Sequence, residues 1–391
     1  MSYVIHANHH ETLRPTQIGV NLSRLYHNFQ QLTLRSRQIN PHTHIMPILK
    51  ANAYGHGMIR LAQELETWGA HSFGVAFLEE GIALRQAGIR IPILILGGVA
   101  TNQIPFYFQY NLSITASSID KLNHIQQAAI IAKTKASVHL KIDTGMERIG
   151  VHHYNAKPFI DTALSLDHLN IDGIYSHFAN ADRAILTHTE NQLEHFIEIQ
   201  KYYYSKTNQK TLFHIANSAA ILQLPASHLD LVRPGISLYG IYPSIECKKT
   251  IELQPCLSWK TAVSYFKVIP KNTPVSYGST WSSPQDTRLI TLPVGYGDGY
   301  FRCLSNQTQV IVHNKKYHQA GTICMDQMMV DLQQGSAYNG DEVILIGESQ
   351  DHKITVEDLA AKANTIPYEI LTNINIRVPR CYIHSPKNES I

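Results

Sequence analysis

At 391 residues, with 44% hydrophobic and 16% charged side chains, the chain is long enough for two domains with ordinary cores. Its 33 Lys and Arg against 30 Asp and Glu leave a formal net charge of +3. That is too slight to imply nucleic acid, and no basic run is interleaved with aromatics. Residues 1–10 show no basic stretch leading into an apolar core, and no long apolar run follows elsewhere, so the expectation is a cytoplasmic protein with no membrane partner. Five cysteines without C-x-x-C spacing argue for reduced thiols and against structural zinc, so no metal is expected.

Short runs rich in Ile, Val and Leu recur at 45–49, 72–77, 91–96, 112–115, 137–142, 171–175, 212–215 and 230–232. The gaps between them hold stretches with helical spacing at 58–68, 79–87, 119–133 and 189–205; the first keeps Ile59, Leu61, Ala62, Leu65 and Trp68 apolar. Eight strand–helix units predict an α/β fold, a closed eight-stranded (β/α)8 barrel. No G-x-G-x-x-G stands at the first strand–helix turn, which argues against a dinucleotide-binding sheet. After about residue 250 the rhythm changes to 261–269, 288–294, 309–312, 328–332 and 342–346, separated by turn signals. These predict a mostly β domain, helical only at 355–363 and after Pro367. The expected domains are therefore 1–250, with residues before about 24 pairing with the later domain, and 251–391.

A barrel gathers its chemistry at the C-terminal ends of its strands, and chemically capable residues do stand just beyond the apolar runs. Lys50 follows the first run in Pro47-Ile48-Leu49-Lys50-Ala51-Asn52-Ala53-Tyr54-Gly55-His56-Gly57. Partial burial there disfavours an ammonium and yields an amine able to condense with a carbonyl. Lys141 and Asp143 close the fifth run, with Glu147 and Arg148 in its turn; taken alone, these could form a structural salt-bridge cluster. His177 follows the sixth run and by itself reads better as a hydrogen-bonded core histidine. His214, Asn217 and Ser218 follow the seventh, with Ser218 placed to open a helix and favour an anion, and Arg233, Gly235 and Ile236 follow the eighth.

The Lys50 run resembles the cofactor-lysine motif of alanine racemases, a family of pyridoxal-phosphate enzymes, and the resemblance extends from about residue 15 to 380 with both halves in family order. It implies a pyridoxal 5'-phosphate cofactor held by Lys50, Tyr54, Arg148, His177, Asn217, Ser218, Arg233, Gly235, Ile236 and Tyr368. It implies carbamylation of Lys141 to hold Arg148, stacking of His177 on the pyridine ring, and Arg233 facing the pyridine nitrogen. His214 is placed in the hydrogen-bond network behind the ring. Val275-Ser276-Tyr277-Gly278 resembles the motif whose tyrosine comes from the partner subunit as the second base, opposite Lys50. Gly295-Tyr296-Gly297-Asp298-Gly299, Cys324-Met325-Asp326-Gln327 and Thr365-Ile366-Pro367-Tyr368-Glu369 resemble further family blocks. They imply that Tyr296 narrows the entrance and that Met325 and Asp326, with Arg148, lie near the substrate carboxylate. The chain departs from the family at Thr16 to Leu22, at Glu147, where small or neutral residues are common, and at Gly297, commonly alanine.

The reading that follows is a homodimeric racemase interconverting L- and D-alanine through Lys50 and Tyr277, supplying D-alanine for peptidoglycan. An amino-acid decarboxylase of the same fold is disfavoured by the tyrosine and Cys-Met-Asp-Gln blocks. A non-catalytic cofactor-binding protein made of the barrel alone would lack the second domain.

Overall fold

In the computed structural model residues 13–384 are described. They form two compact units: Arg24–Ala53 with Gly57–Pro255, and the residues up to Ser23 together with Tyr54–His56 and the chain from Cys256 onward.

The first unit is a ring of eight strands: His44–Ile45, Phe73–Val75, Ile93–Ile95, Ser113–Ala116, Ala136–Asp143, Leu169–Tyr175, Leu212–His214 and Leu231–Val232. Neighbours pair in parallel. Two joints without a ladder close the ring. At one, Ile48 bridges Gly74, with Leu49 N donating to Gly74 O at 2.9 Å. At the other, Asp230 N donates to Phe213 O at 3.2 Å and Arg233 N to Ala216 O at 3.0 Å. The second, third and fourth strands are buried at every residue, which is why they read as continuous apolar runs rather than alternating ones. The flanking helices bury one stripe each. Met58–Thr67 covers the core with Met58, Leu61, Ala62 and Leu65, while Ile119–Ile131 uses Leu122, Ile125 and Ala129. The latter starts where Ser118 Oγ accepts a bond from Lys121 N.

The second unit is built on a ten-stranded, mainly antiparallel sheet. The expected run 261–269 divides into Leu257–Ala262 and Tyr265–Ile269, because the chain changes neighbours between them. Val263 N bonds Asp341 O, and Ser264 N bonds Thr291 O. Leu257–Ala262 alternates buried and half-buried residues around Trp259 and lies between Glu342–Ser349 and Gln17–Asn21. Gln17–Asn21 occupies the stretch where the sequence departs from the family. It alternates in the same way, burying Ile18 and Val20, and also pairs in parallel with Arg380–Ile383. Among the described residues, no helix is long and apolar enough to cross a membrane, and no group of side chains is arranged to hold a metal ion.

Candidate active site

In the barrel unit Lys50 stands just beyond Leu49, at the C-terminal mouth. Beyond it the backbone turns left-handed for four consecutive non-glycine residues, Ala51 to Tyr54, with φ of 52°, 54°, 54° and 51°. Each such residue is disfavoured by roughly 1–2 kcal/mol, so its surroundings must hold the turn. Ala51 N donates to Glu80 Oε1 at 2.6 Å, Ala53 N to Leu49 O at 2.8 Å, and Met58 N to Asn52 Oδ1 at 2.8 Å. Half-burial, reinforced by Arg148, lowers the Lys50 ammonium from its ordinary range, with Glu80 opposing. The result favours a free amine.

Arg233, almost wholly buried, organises the floor. Its Nη1 donates to His214 Nδ1 at 2.6 Å, and its Nη2 donates to Ser176 O at 2.7 Å and Ile215 O at 3.0 Å and lies 3.4 Å from His177 Nδ1. An arginine only donates, so His214 must accept at Nδ1 and carry its proton on Nε2. That nitrogen lies 2.9 Å from His139 Nδ1. Tyr175 stacks on His214 at 4.9 Å, under both Lys141 Nζ and the Arg233 guanidinium. Burial and then Arg233 hold both His177 and His214 far below the usual imidazole range, so both are neutral.

Lys141 is 3% exposed; burial and then Arg233 bring its ammonium down to about 7. Asp143 is not a free base. Burial pushes its carboxyl up, but backbone N–H groups of Gly145, Glu147, Met146 and Arg148 more than offset this and hold it below its ordinary value. It shapes the turn that carries Arg148. Glu147, at φ 54°, turns its carboxylate to His152 Nε2 at 2.8 Å, so the unusual acid is engaged in an exposed contact. Asn217 caps Ser218–Gln223 by accepting from Ala220 N. Ser218 Oγ accepts from Gly235 N at 2.8 Å and Ser237 N at 3.3 Å, and the buried Ser237 hydroxyl has no hydrogen-bond partner among the described residues.

The second unit holds its own group of sequence-marked residues. Tyr54 and Tyr368 rings lie 6.0 Å apart, and burial followed by Tyr368 raises the Tyr54 phenol. Gly55, at φ 80°, has no room for a side chain, since a Cβ would stand 2.2 Å from Leu371 O. Tyr277 is 73% exposed on a strained turn in which Ser276 takes φ 67°, ψ −178°, a region that ordinarily belongs to glycine. Ser276 Oγ donates to Thr322 O, and Thr322 Oγ1 donates back to Tyr277 O at 2.7 Å, which holds the backbone of the turn. Tyr296 and Met325 are also exposed, and their loops are stitched by Tyr296 N to Cys324 O and Gly297 N to Met325 O. Arg377 spans buried Asp298 and exposed Asp326, each at 2.8 Å. A Cβ at Gly297 would lie 2.6 Å from Arg377 Nη2, so a side chain there would displace the end of this arginine.

Sequence reasoning did not single out Glu80, His139 or Tyr175. The last two were findable from strand alternation: His139 and Lys141 share a face, and register pairs them with Gly173 and Tyr175.

A closed parallel barrel presenting a half-buried amine among Arg148, Arg233 and Lys141 defines an enzyme that takes an anionic ligand and moves protons at it. Residues 20–243 match the family model "Alanine racemase, N-terminal domain", and residues 256–382 match "Alanine racemase, C-terminal domain". The alanine racemase of Carboxydothermus hydrogenoformans is 43% identical over 95% of this chain and 100% of its own length. That of Methanococcus maripaludis is 36% identical over 95% and 99%. Among solved structures, alanine racemase of Clostridium difficile 630 superposes with a TM-score of 0.90 at 33% identity, covering 96% of this chain and 97% of that one. The Bacillus anthracis alanine racemase solved with bound L-Ala-P gives 0.88 at 31%, covering 96% of each. The chain belongs to the alanine racemase family and is an amino-acid racemase, an isomerase.

Proposed function

We propose that the protein interconverts L- and D-alanine with pyridoxal 5'-phosphate, as a homodimer in which Lys50 and Tyr277 of the partner subunit are the two bases. The observation that carries this reading is Lys50 itself, an amine at the barrel mouth whose ammonium is shifted down from its ordinary range by burial and by Arg148. The residues suit the cofactor: the orphaned Ser237 hydroxyl beside Ser218 calls for an anionic acceptor, and the surrounding cations favour one. Lys50, Tyr54, Arg148, His177, Asn217, Ser218, Arg233, Gly235, Ile236 and Tyr368 would hold it. When bound, pyridoxal phosphate supplies an electron-withdrawing ring that acidifies the Cα–H of an amino acid.

Lys50, once unprotonated, removes or returns the Cα proton on one face. The outward phenol of Tyr277 of the partner subunit does so on the other. Arg233 keeps its protons and donates only, and so leaves a ring nitrogen unprotonated and restrains the withdrawal. Arg148, with Tyr296, Met325 and Asp326, binds and bounds the substrate. Lys141 is carbamylated: its unprotonated amine attacks carbon dioxide, one N–H proton is lost to water, and the resulting carbamate anion answers Arg148 and Arg233. The Bacillus anthracis relative with bound L-Ala-P supports an alanine-like ligand. D-alanine made in the cytoplasm then serves peptidoglycan synthesis.

L-alanine incubated with the purified protein in deuterated water should lose its α-proton to solvent as D-alanine appears. Lys50→Ala should abolish this exchange together with the visible absorbance of bound cofactor. Release of carbon dioxide without D-alanine, or undiminished exchange in Lys50→Ala, would overturn the assignment.

A further inference from the structure

The end of the barrel opposite Lys50 is hollow. A cavity of about 600 Å³ opens there, lined by residues that begin or precede the strands, among them Ser72, Pro92, Ser113, Thr211 and Asp230. Its walls are apolar where Met46, Leu94, Leu212 and Leu231 contribute, and Tyr204 and Lys210 stand at an exposed rim.

Two polar side chains on the lining each keep one atom without a hydrogen-bond partner among the described residues. The first is His139, 95% buried by its 5% exposure. The Arg233 guanidinium can only donate, so the chain of bonds through His214 leaves His139 accepting at Nδ1 and carrying its proton on Nε2. Nε2 has no hydrogen-bond partner among the described residues, so its N–H is available at the lining of the cavity. Space for this ring is provided deliberately: at Gly173 a Cβ would lie 2.2 Å from His139 Nδ1. The second group is the half-buried Asp230. Its Oδ2 accepts from Phe213 N at 2.9 Å, while Oδ1 accepts nothing among the described residues. Burial raises this carboxyl from its ordinary value, opposed by Phe213 N and by the neighbouring His44, whose own imidazole is lowered by burial and Arg37. Asp172 is different, for Ser137 and Asn170 occupy its two oxygens. His71 offers no countercharge either, since burial and then His44 bring it down to about 4.

We propose that this cavity is a second binding site, for a small ammonium–carboxylate zwitterion whose carboxylate accepts from His139 Nε2 and whose cationic end faces Asp230. The rim Lys210 draws in the carboxylate, and the apolar walls cover a short aliphatic body. The site stands apart from the racemase chemistry proposed above and does not depend on it.

Glycine betaine is a suitable probe because it is a zwitterion without a free amine and cannot condense with a carbonyl. Titration calorimetry on the full-length, cofactor-loaded protein should show saturable betaine binding, with acetate and tetramethylammonium each at least about tenfold weaker. Asp230→Asn should weaken betaine about tenfold or more while leaving acetate unchanged. Leu94→Trp, which fills the cavity from its apolar wall, should abolish the heat; circular dichroism establishes that each variant is folded. No binding to the wild type, acetate binding as tightly as betaine, or undiminished binding in folded Leu94→Trp would each overturn the proposal.

Discussion

Lys141 illustrates how one side chain can link the site to the stability of the whole fold. Its Nζ donates to Ile142 O at 3.0 Å, and among the described residues no carboxylate lies within ion-pair distance. Buried beside Arg233 and Arg148, it is brought from 10.5 to about 7. The unfolded chain therefore holds one more proton than the folded chain between those values, and stability from this group rises with pH across that window. The slope is at most ~1.4 kcal/mol per pH unit. Carbamylation removes this titration from the folded chain only; the unfolded chain's amine still takes up a proton below 10.5, so the proton difference persists. Urea unfolding from about pH 7 to 10 in buffer stripped of carbon dioxide should thus show a steeper gain for wild type than for Lys141→Met. Native mass spectrometry should show the wild type heavier by one carbon dioxide in bicarbonate. Parallel slopes in stripped buffer would mean that the amine is not neutral in the fold.

At the scale of elements, the barrel strands were legible because their burial is nearly complete: each apolar run falls on an observed strand, from His44–Ile45 to Leu231–Val232. Burial on one face only is harder to read. Lys315–Ala320, central in the second unit's sheet, carries Lys315, Lys316 and His318 toward solvent and shows no apolar run at all. At the site, barrel topology explains why Lys50, Lys141, His177, His214 and Arg233 follow strand ends. It does not reveal which inward neighbours, such as Tyr175 and His139, will be stacked or bonded beneath them. The left-handed turn was also invisible, since Ala-Asn-Ala-Tyr carries no glycine to announce it. Its strain is testable at Ala51, which is exposed and packs against nothing that a methyl deletion would empty. Ala51→Gly should stabilise the protein by on the order of 0.5–1 kcal/mol, relief of left-handed strain exceeding the entropy gained by the unfolded chain. Urea unfolding measures it, and a loss of stability would show that the turn is not strained. A simultaneous fall in activity would show that the stiffness directs Lys50.

For the whole molecule, the decisive question is whether one active site draws on two polypeptides. Tyr277, Tyr296 and Met325 present large side chains to solvent from the second unit, on a backbone held in a costly conformation at Ser276, as expected of a surface that completes a site elsewhere. A two-fold dimer with shared sites makes a sharp prediction for mixtures of inactive variants. Lys50→Ala and Tyr277→Phe homodimers each have two defective sites. In a mixed dimer both substitutions fall on one site and the other regains Lys50 from one chain and Tyr277 from its partner. Equal mixing with free subunit exchange makes half the dimers mixed, so about a quarter of the wild-type rate should return. Tyr277→Phe alone should keep the cofactor absorbance while losing most racemisation. If each site instead drew both groups from a single chain, every site in the mixture would carry one lesion and no activity would return. Covalently linked heterodimers, which remove the dependence on exchange, should recover about half the wild-type rate under sharing and none without it.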